Sequence, residues 1–132
     1  MASSKLTWCA RDTFILPMSY TACFSETAFR RELRRLRLPA HAQPAFLNPS
    51  SNATTHFFER GDGSAAAIVC MPPDVEADPI QVACLLVHEA VHIWQESMRL
   101  IGEEKPSAEF EAYGIQTISQ ELMYLYAEGK NR

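Results

Sequence analysis

Residues 78–102, DPIQVACLLVHEAVHIWQESMRLIG, predict one long central helix around which the rest of the chain packs. Asp78 is a residue type that caps helices, Pro79 suits the first helical position, and Gln81 completes a capping box. Gly102 favours an end to the helix just beyond Leu100. Apolar residues lie on nearly every side of this helix, as is typical of a buried element: Val82, Leu85, Leu86, Val91 and Trp94.

The flanking sequence predicts a short helix, a hairpin and a closing helix. Ser25 is a plausible N-cap for an amphipathic pattern that Pro39 stops. Residues 53–60, ATTHFFER, and 64–71, SAAAIVCM, flank the turn-forming triplet Gly-Asp-Gly and predict two antiparallel strands. A last helix is expected over about residues 107–128. These elements predict an α+β fold.

Length and composition indicate one domain, residues 1–132, and argue against several classes of protein. A formal net charge of -4 disfavours nucleic acids and anionic membranes as partners, because both attract a basic surface. No stretch approaches the roughly 20 apolar residues that span a bilayer, and no export signal is visible. We therefore expect a soluble cytoplasmic protein, and the sequence indicates no particular oligomeric state.

The cysteines are predicted to be buried free thiols. Each is isolated among apolar neighbours, and none forms the CxxC spacing of a zinc knuckle: Cys9, Cys23, Cys70 and Cys84. Disulfides are the less favoured alternative, because a reducing cytoplasm keeps thiols free.

Within the central helix, residues 88–92 have the pattern HExxH. His88 and His92 are one helical turn apart on one face, so the two imidazoles can share a zinc ion. Glu89 lies about 100° further round the helix, where it can take a proton from a zinc-bound water. In the alternative interpretation, the histidines are core residues bonded to backbone carbonyls and Glu89 pairs with an arginine such as Arg99. Burying three ionisable groups without a metal or polar partners costs several kcal/mol, which favours the metal site.

A catalytic zinc usually has three protein ligands and a water, and the last predicted helix offers Glu109 and Glu111 as the third ligand. Glu111 is in line with the apolar stripe of that helix: Ile115, Ile118, Leu122 and Leu125. Glu109 is in line with a polar stripe that would face the polar side of the central helix: Tyr113, Gln116 and Gln120. Periodicity alone leaves the choice between the two acids open.

These residues resemble the zincin metallopeptidases, and within them the glutamate-liganded gluzincin type, especially compact members and phage metallopeptidases. The resemblance covers residues 80–126. In several such families the third ligand is the first glutamate of an ExxAD-like pattern that follows HExxH, and EFEAY, which begins at Glu109, resembles that pattern. The resemblance implies Zn²⁺ bound by His88, His92 and Glu109, in a small zincin-like fold with an antiparallel or mixed sheet and a C-terminal helix.

The resemblance further implies hydrolysis of a peptide bond in a peptide or protein substrate, with Glu89 as general base on a zinc-bound water. The chain departs from the family pattern at Tyr113, which replaces an acid that would orient a zinc-bound histidine; Tyr113 is a candidate donor to the oxyanion. The zincin fold binds substrate along an antiparallel edge strand, and residues 64–71 are either that strand or an ordinary hairpin strand. The alternative function is a catalytically silent zinc-binding zincin scaffold that acts as a binding or inhibitory module.

Overall fold

The computed structural model describes residues 8–9, 16–72 and 78–129. Its elements, in chain order, are β1 (Met18–Cys23), α1 (Glu26–Arg35), a 3-10 helix (Ala40–Ala42), β2 (Thr54–Glu59), β3 (Ala65–Cys70), α2 (Pro79–Ile101) and α3 (Ala108–Gly129). The strands form one sheet in the order β1-β3-β2, in which β1 runs parallel and β2 antiparallel to β3. The predicted α+β class and mixed sheet are confirmed.

The local sequence signals of α2 act as predicted. Asp78 accepts a hydrogen bond from the backbone N–H of Gln81 at 2.8 Å, and the Gln81 side chain accepts one from the Asp78 backbone N–H at 3.2 Å. This reciprocal pair satisfies N–H groups that the first turn of a helix leaves without partners. Gly102 caps the other end with φ of 74°, a left-handed conformation that favours glycine.

The hairpin and α1 also follow their sequence signals, with one difference in length. Gly61 and Gly63 adopt φ of 82° and 87° in the turn between β2 and β3. Ser25 caps α1, as predicted, and accepts a hydrogen bond from the Ala28 N–H. The helix ends at Arg35, short of Pro39, because the chain turns at Arg37, where φ is 64°.

The sheet lies between α1 on one face and the α2–α3 pair on the other. Alternate residues of β1 and β3 supply the core beneath α2 and α3, together with α2 and α3 side chains that include Trp94 and Leu122. The opposite residues pack with α1 in a second core: Cys23, Ile68 and Cys70 with Phe29 and Leu33. The period of two along each strand therefore assigns every strand residue to one of two helical layers.

The central position of β3 corrects one of the two interpretations of residues 64–71. β1 pairs with one side of β3 and β2 with the other, and all six β3 residues are buried. A strand with two neighbours cannot offer a free edge to a substrate. The antiparallel edge strand is β2.

One cysteine departs from its predicted burial. Cys9, Cys23 and Cys70 are buried, whereas Cys84 is exposed, and all four are free thiols. Cys84 follows exposed Ile80 by one turn of α2 and therefore lies on the same exposed side of that helix. Among the described residues, no helix is long and apolar enough to cross a membrane.

Candidate metal and catalytic site

His88 and His92 converge on the surface of α2. Both side chains are exposed, their Nε2 atoms are 3.1 Å apart, and their ring planes are inclined by 76°. Two imidazole nitrogens bound to one tetrahedral zinc at its usual bond length lie about 3.3 Å apart. The 3.1 Å separation is that of a hydrogen bond between the two rings, and it is also close to the spacing of two nitrogens on one zinc ion. Solvent reaches both rings, so the alternative interpretation of buried core histidines is wrong. The premise that all three ionisable groups are buried is wrong as well, because Glu89 alone is buried.

Glu89 points from the same turn of α2 toward β2 and is only 5% exposed. Its Oε1 accepts a hydrogen bond from the Thr55 hydroxyl, with an oxygen–oxygen distance of 2.6 Å. Arg99 instead contacts Glu96 and Glu59, so the proposed Glu89–Arg99 pair does not form. The Arg99 guanidinium holds the pKa of the Glu96 carboxyl below its usual value.

An open cleft of about 260 Å³ joins the histidine pair to Glu89. Its walls come from α2, from β2 and from the segment that leads into β2: Asn48, Ser51, Ala53, Thr54, Thr55 and Phe57, with His88, Glu89 and His92. Two hydrogen bonds shape this segment, from the Asn48 N–H to Thr54 Oγ1 and from the Ser51 hydroxyl to the Ala53 carbonyl, each 2.9 Å long. The histidines thus face β2 rather than a polar stripe of α3.

The cleft residues of β2 and of the segment before it were missed by the sequence interpretation. The turn-forming residues in NPSSN, residues 48–52, predict a loop, but they do not predict which other elements the loop packs against. Strand alternation predicts that Thr55 and His56 point to opposite faces, and His56 does stack on Phe29 of α1, with ring centroids 5.1 Å apart. Alternation does not say which face meets α2.

Of the two candidate acids on α3, Glu111 is the one that contacts α2. Its Oε2 accepts a hydrogen bond from the Trp94 indole N–H at 3.1 Å, and it lines a second cleft beside Gln95 and Arg99. Glu109 lies exposed in the first turn of α3. Within residues 8–9, 16–72 and 78–129, no three His, Cys, Asp or Glu side chains form a group able to hold a metal ion.

The structure therefore brings together His88, Glu89 and His92, but not the full predicted ligand set. Trp94 explains the position of the α3 acids: its ring packs edge-on to Phe110, with centroids 5.0 Å apart, so the first turn of α3 meets α2 near Trp94. Tyr113, the candidate oxyanion donor, is 65% exposed on α3 and is absent from the lining of the histidine cleft.

Comparison with protein-family models, curated proteins and solved structures produced no match for this chain.

Proposed function

We propose that this protein is a zinc-dependent metallopeptidase in which His88 and His92 bind the metal ion and Glu89 is the general base. The observation that carries the proposal is the approach of the two Nε2 atoms to 3.1 Å beside a nearly buried carboxylate, in an open cleft. Two adjacent exposed imidazoles suit zinc, which readily takes nitrogen ligands. Their exposure leaves room for a substrate and a water at the same ion.

The two α3 acids are the candidates for a third ligand, Glu109 by the resemblance of EFEAY to the gluzincin pattern and Glu111 by its contact with Trp94 on α2. Neither acid lines the cleft that contains His88 and His92, so either one would have to reach the ion from outside that cleft. Zinc content measured by mass spectrometry on Glu109→Gln and Glu111→Gln distinguishes them. The variant that loses zinc identifies the ligand, since either substitution removes a carboxylate while it preserves the size of the side chain.

A zinc ion held by His88 and His92 would supply a Lewis acid for the scissile carbonyl and for a water molecule. Glu89 would remove one proton from the attacking water, whose oxygen bonds to the carbonyl carbon as the C=O π pair moves to the carbonyl oxygen. The same carboxyl then gives the proton to the amide nitrogen as the carbon–nitrogen bond breaks. The low exposure of Glu89 supports this role, because a carboxylate shielded from bulk water exchanges its proton with the reactants.

A peptide substrate is supported by the position of β2 along the cleft. β2 is an antiparallel edge strand, and among the described residues it pairs with β3 alone. An edge strand offers unpaired N–H and C=O groups to an extended chain. Thr54, Thr55 and Phe57 of this strand line the cleft that contains the histidines, so a peptide along β2 would pass the proposed metal ion.

The test combines zinc analysis with cleavage of a mixed-peptide library. Wild-type protein is expected to contain zinc and cleave peptides. Glu89→Gln is expected to keep zinc and lose activity by roughly 10²- to 10⁴-fold or more, the usual contribution of a general base, and His92→Ala is expected to lose zinc. Glu104→Gln makes the same chemical change in the exposed turn before α3 and serves as the control that keeps activity.

Undiminished cleavage by Glu89→Gln would refute the proposed base. Wild-type protein without stoichiometric zinc would refute the metal site. Zinc binding without cleavage of any peptide would instead indicate the catalytically silent zinc-binding module.

A further inference from the structure

The Thr55 hydroxyl occupies one oxygen of the Glu89 carboxylate. Thr55 Oγ1 donates to Glu89 Oε1 at 2.6 Å, which is the short range of hydrogen bonds from hydroxyls to charged carboxylates. Among the described residues, no other hydrogen bond to the Glu89 side chain is formed. The contact therefore distinguishes the two oxygens of Glu89, since Oε1 has a fixed partner and Oε2 has none within that part of the chain.

The hydroxyl is held by a rigid support. The backbone of Thr55 is paired with Val69 as the second pair of the six-residue β2–β3 ladder, and β3 is buried along its whole length. Threonine is β-branched, so its χ1 angle has few accessible values. Glu89 in turn lies eleven residues after Asp78, the N-cap of a 23-residue helix. The Thr55–Glu89 hydrogen bond thus joins two regular elements, which the exposed Arg99–Glu59 ion pair also connects.

We propose that Thr55 is a positioning residue for Glu89, a role that rests on the peptidase function proposed above. By holding Oε1, Thr55 directs Oε2 toward the histidine side of the cleft as the atom that receives and returns the proton. Thr55 itself exchanges no proton with the substrate. Loss of the hydroxyl leaves the carboxylate free to rotate, and misorientation of a catalytic group lowers the rate of the chemical step.

The experiment compares variants at position 55 on one quenched-fluorescent peptide chosen from the library cleavage. Thr55→Val, which preserves shape without the hydroxyl, is expected to lower kcat by roughly 10- to 100-fold with KM unchanged, part of the effect of losing the base altogether. Thr55→Ser restores a hydroxyl and is expected to recover most of kcat. Thr117→Val makes the same change on the exposed side of α3 and is expected to leave both constants unchanged.

Zinc content and Tm are measured for every variant, and Thr55→Ala replaces Thr55→Val if the valine variant does not fold. In the Glu89→Gln background, Thr55→Val is expected to have no further effect on residual activity, because the two residues act as one unit. A wild-type kcat in Thr55→Val overturns the positioning role, and so does an equal loss in the serine and valine variants. If Glu89→Gln remains inactive in those cases, the peptidase function stands. A wild-type protein without zinc or cleavage overturns both proposals.

Discussion

The four-residue spacing of His88 and His92 is sufficient, on any α-helix, to place two imidazoles on one face. Their Nε2 separation of 3.1 Å shows that the side-chain rotamers in this protein also bring the two Nε2 atoms within hydrogen-bond distance. Glu89, the adjacent residue, is rotated away from the pair and meets Thr55 on β2. A change of one residue along the helix therefore separates an exposed pair of histidines from a buried carboxylate.

Single-residue exposure also predicts the reactivity of the four thiols. Cys84 is exposed, whereas Cys9, Cys23 and Cys70 are buried. In native protein, we expect Ellman's reagent to modify one thiol rapidly and the other three only after unfolding in guanidinium. The Cys84→Ser variant should lose the fast phase, while Cys70→Ser should retain it. Rapid modification of two or more thiols in folded protein would contradict the assignment.

Among the secondary-structure elements, α2 and α3 are held together by close contact at a glycine. A Cβ atom placed on Gly114 would lie 2.9 Å or less from three ring atoms of Trp94. Trp94 is 1% exposed and donates its indole N–H to Glu111. The ring therefore has little freedom to move, and the absence of a side chain at position 114 sets how closely the helices approach.

We expect Gly114→Ala to lower the free energy of unfolding by roughly 2 kcal/mol, measured by urea denaturation. Alanine favours a helix by about 1 kcal/mol over glycine, but insertion of a methyl group into a packed core costs typically about 1–3 kcal/mol, and the contact here is severe. Thr117→Ala on the same helix is the control, since residue 117 is exposed and the substitution only improves helix propensity. Stabilisation by Gly114→Ala would show that the two helices separate readily.

At the scale of the whole molecule, the two cores contain acidic groups that burial keeps protonated. Burial first, and nearby Glu121 second, raise the pKa of the Cys9 thiol to about 12. Burial likewise raises the pKa of Cys23 to about 12, with Glu32 adding to the effect. The pKa of the Tyr20 hydroxyl is raised by burial and by its hydrogen bond to Glu121.

These shifts predict a loss of stability at alkaline pH. The thiol pKa values in the folded protein lie above those in the unfolded chain. The contribution of the protonated buried thiols to the free energy of unfolding is therefore fully present below about pH 8. It decreases as thiols of the unfolded chain ionise above the reference value of 9.0. Urea denaturation under reducing conditions should give a free energy of unfolding that falls steadily from pH 8.5 to pH 11. Removing the buried thiol in Cys23→Ala should make the decline shallower, and Cys84→Ser should leave it unchanged. A free energy of unfolding that does not change between pH 8.5 and pH 11 would contradict the raised pKa values of the buried thiols.

The sequence by itself determined the features that depend on near neighbours in the chain. The capping box at Asp78, the glycine turn between β2 and β3, and the helical spacing of His88 and His92 each involve residues within a few positions of one another, so local sterics and hydrogen bonding suffice to predict them. The α+β class and the identity of the long helix followed from the same signals.

Only the tertiary structure decided which elements became neighbours. The sequence predicts no strand before α1, yet β1 begins just after Pro17 and joins β3 in parallel, through contacts between residues more than forty positions apart. The side of α2 that contains the histidines turned toward β2, whereas Trp94 and Gly114 set the approach of α3 and left Glu109 exposed. The physical reason is that packing energy depends on the fit between whole surfaces. Sequence periodicity locates the apolar face of an element, but it does not identify which other element packs against that face.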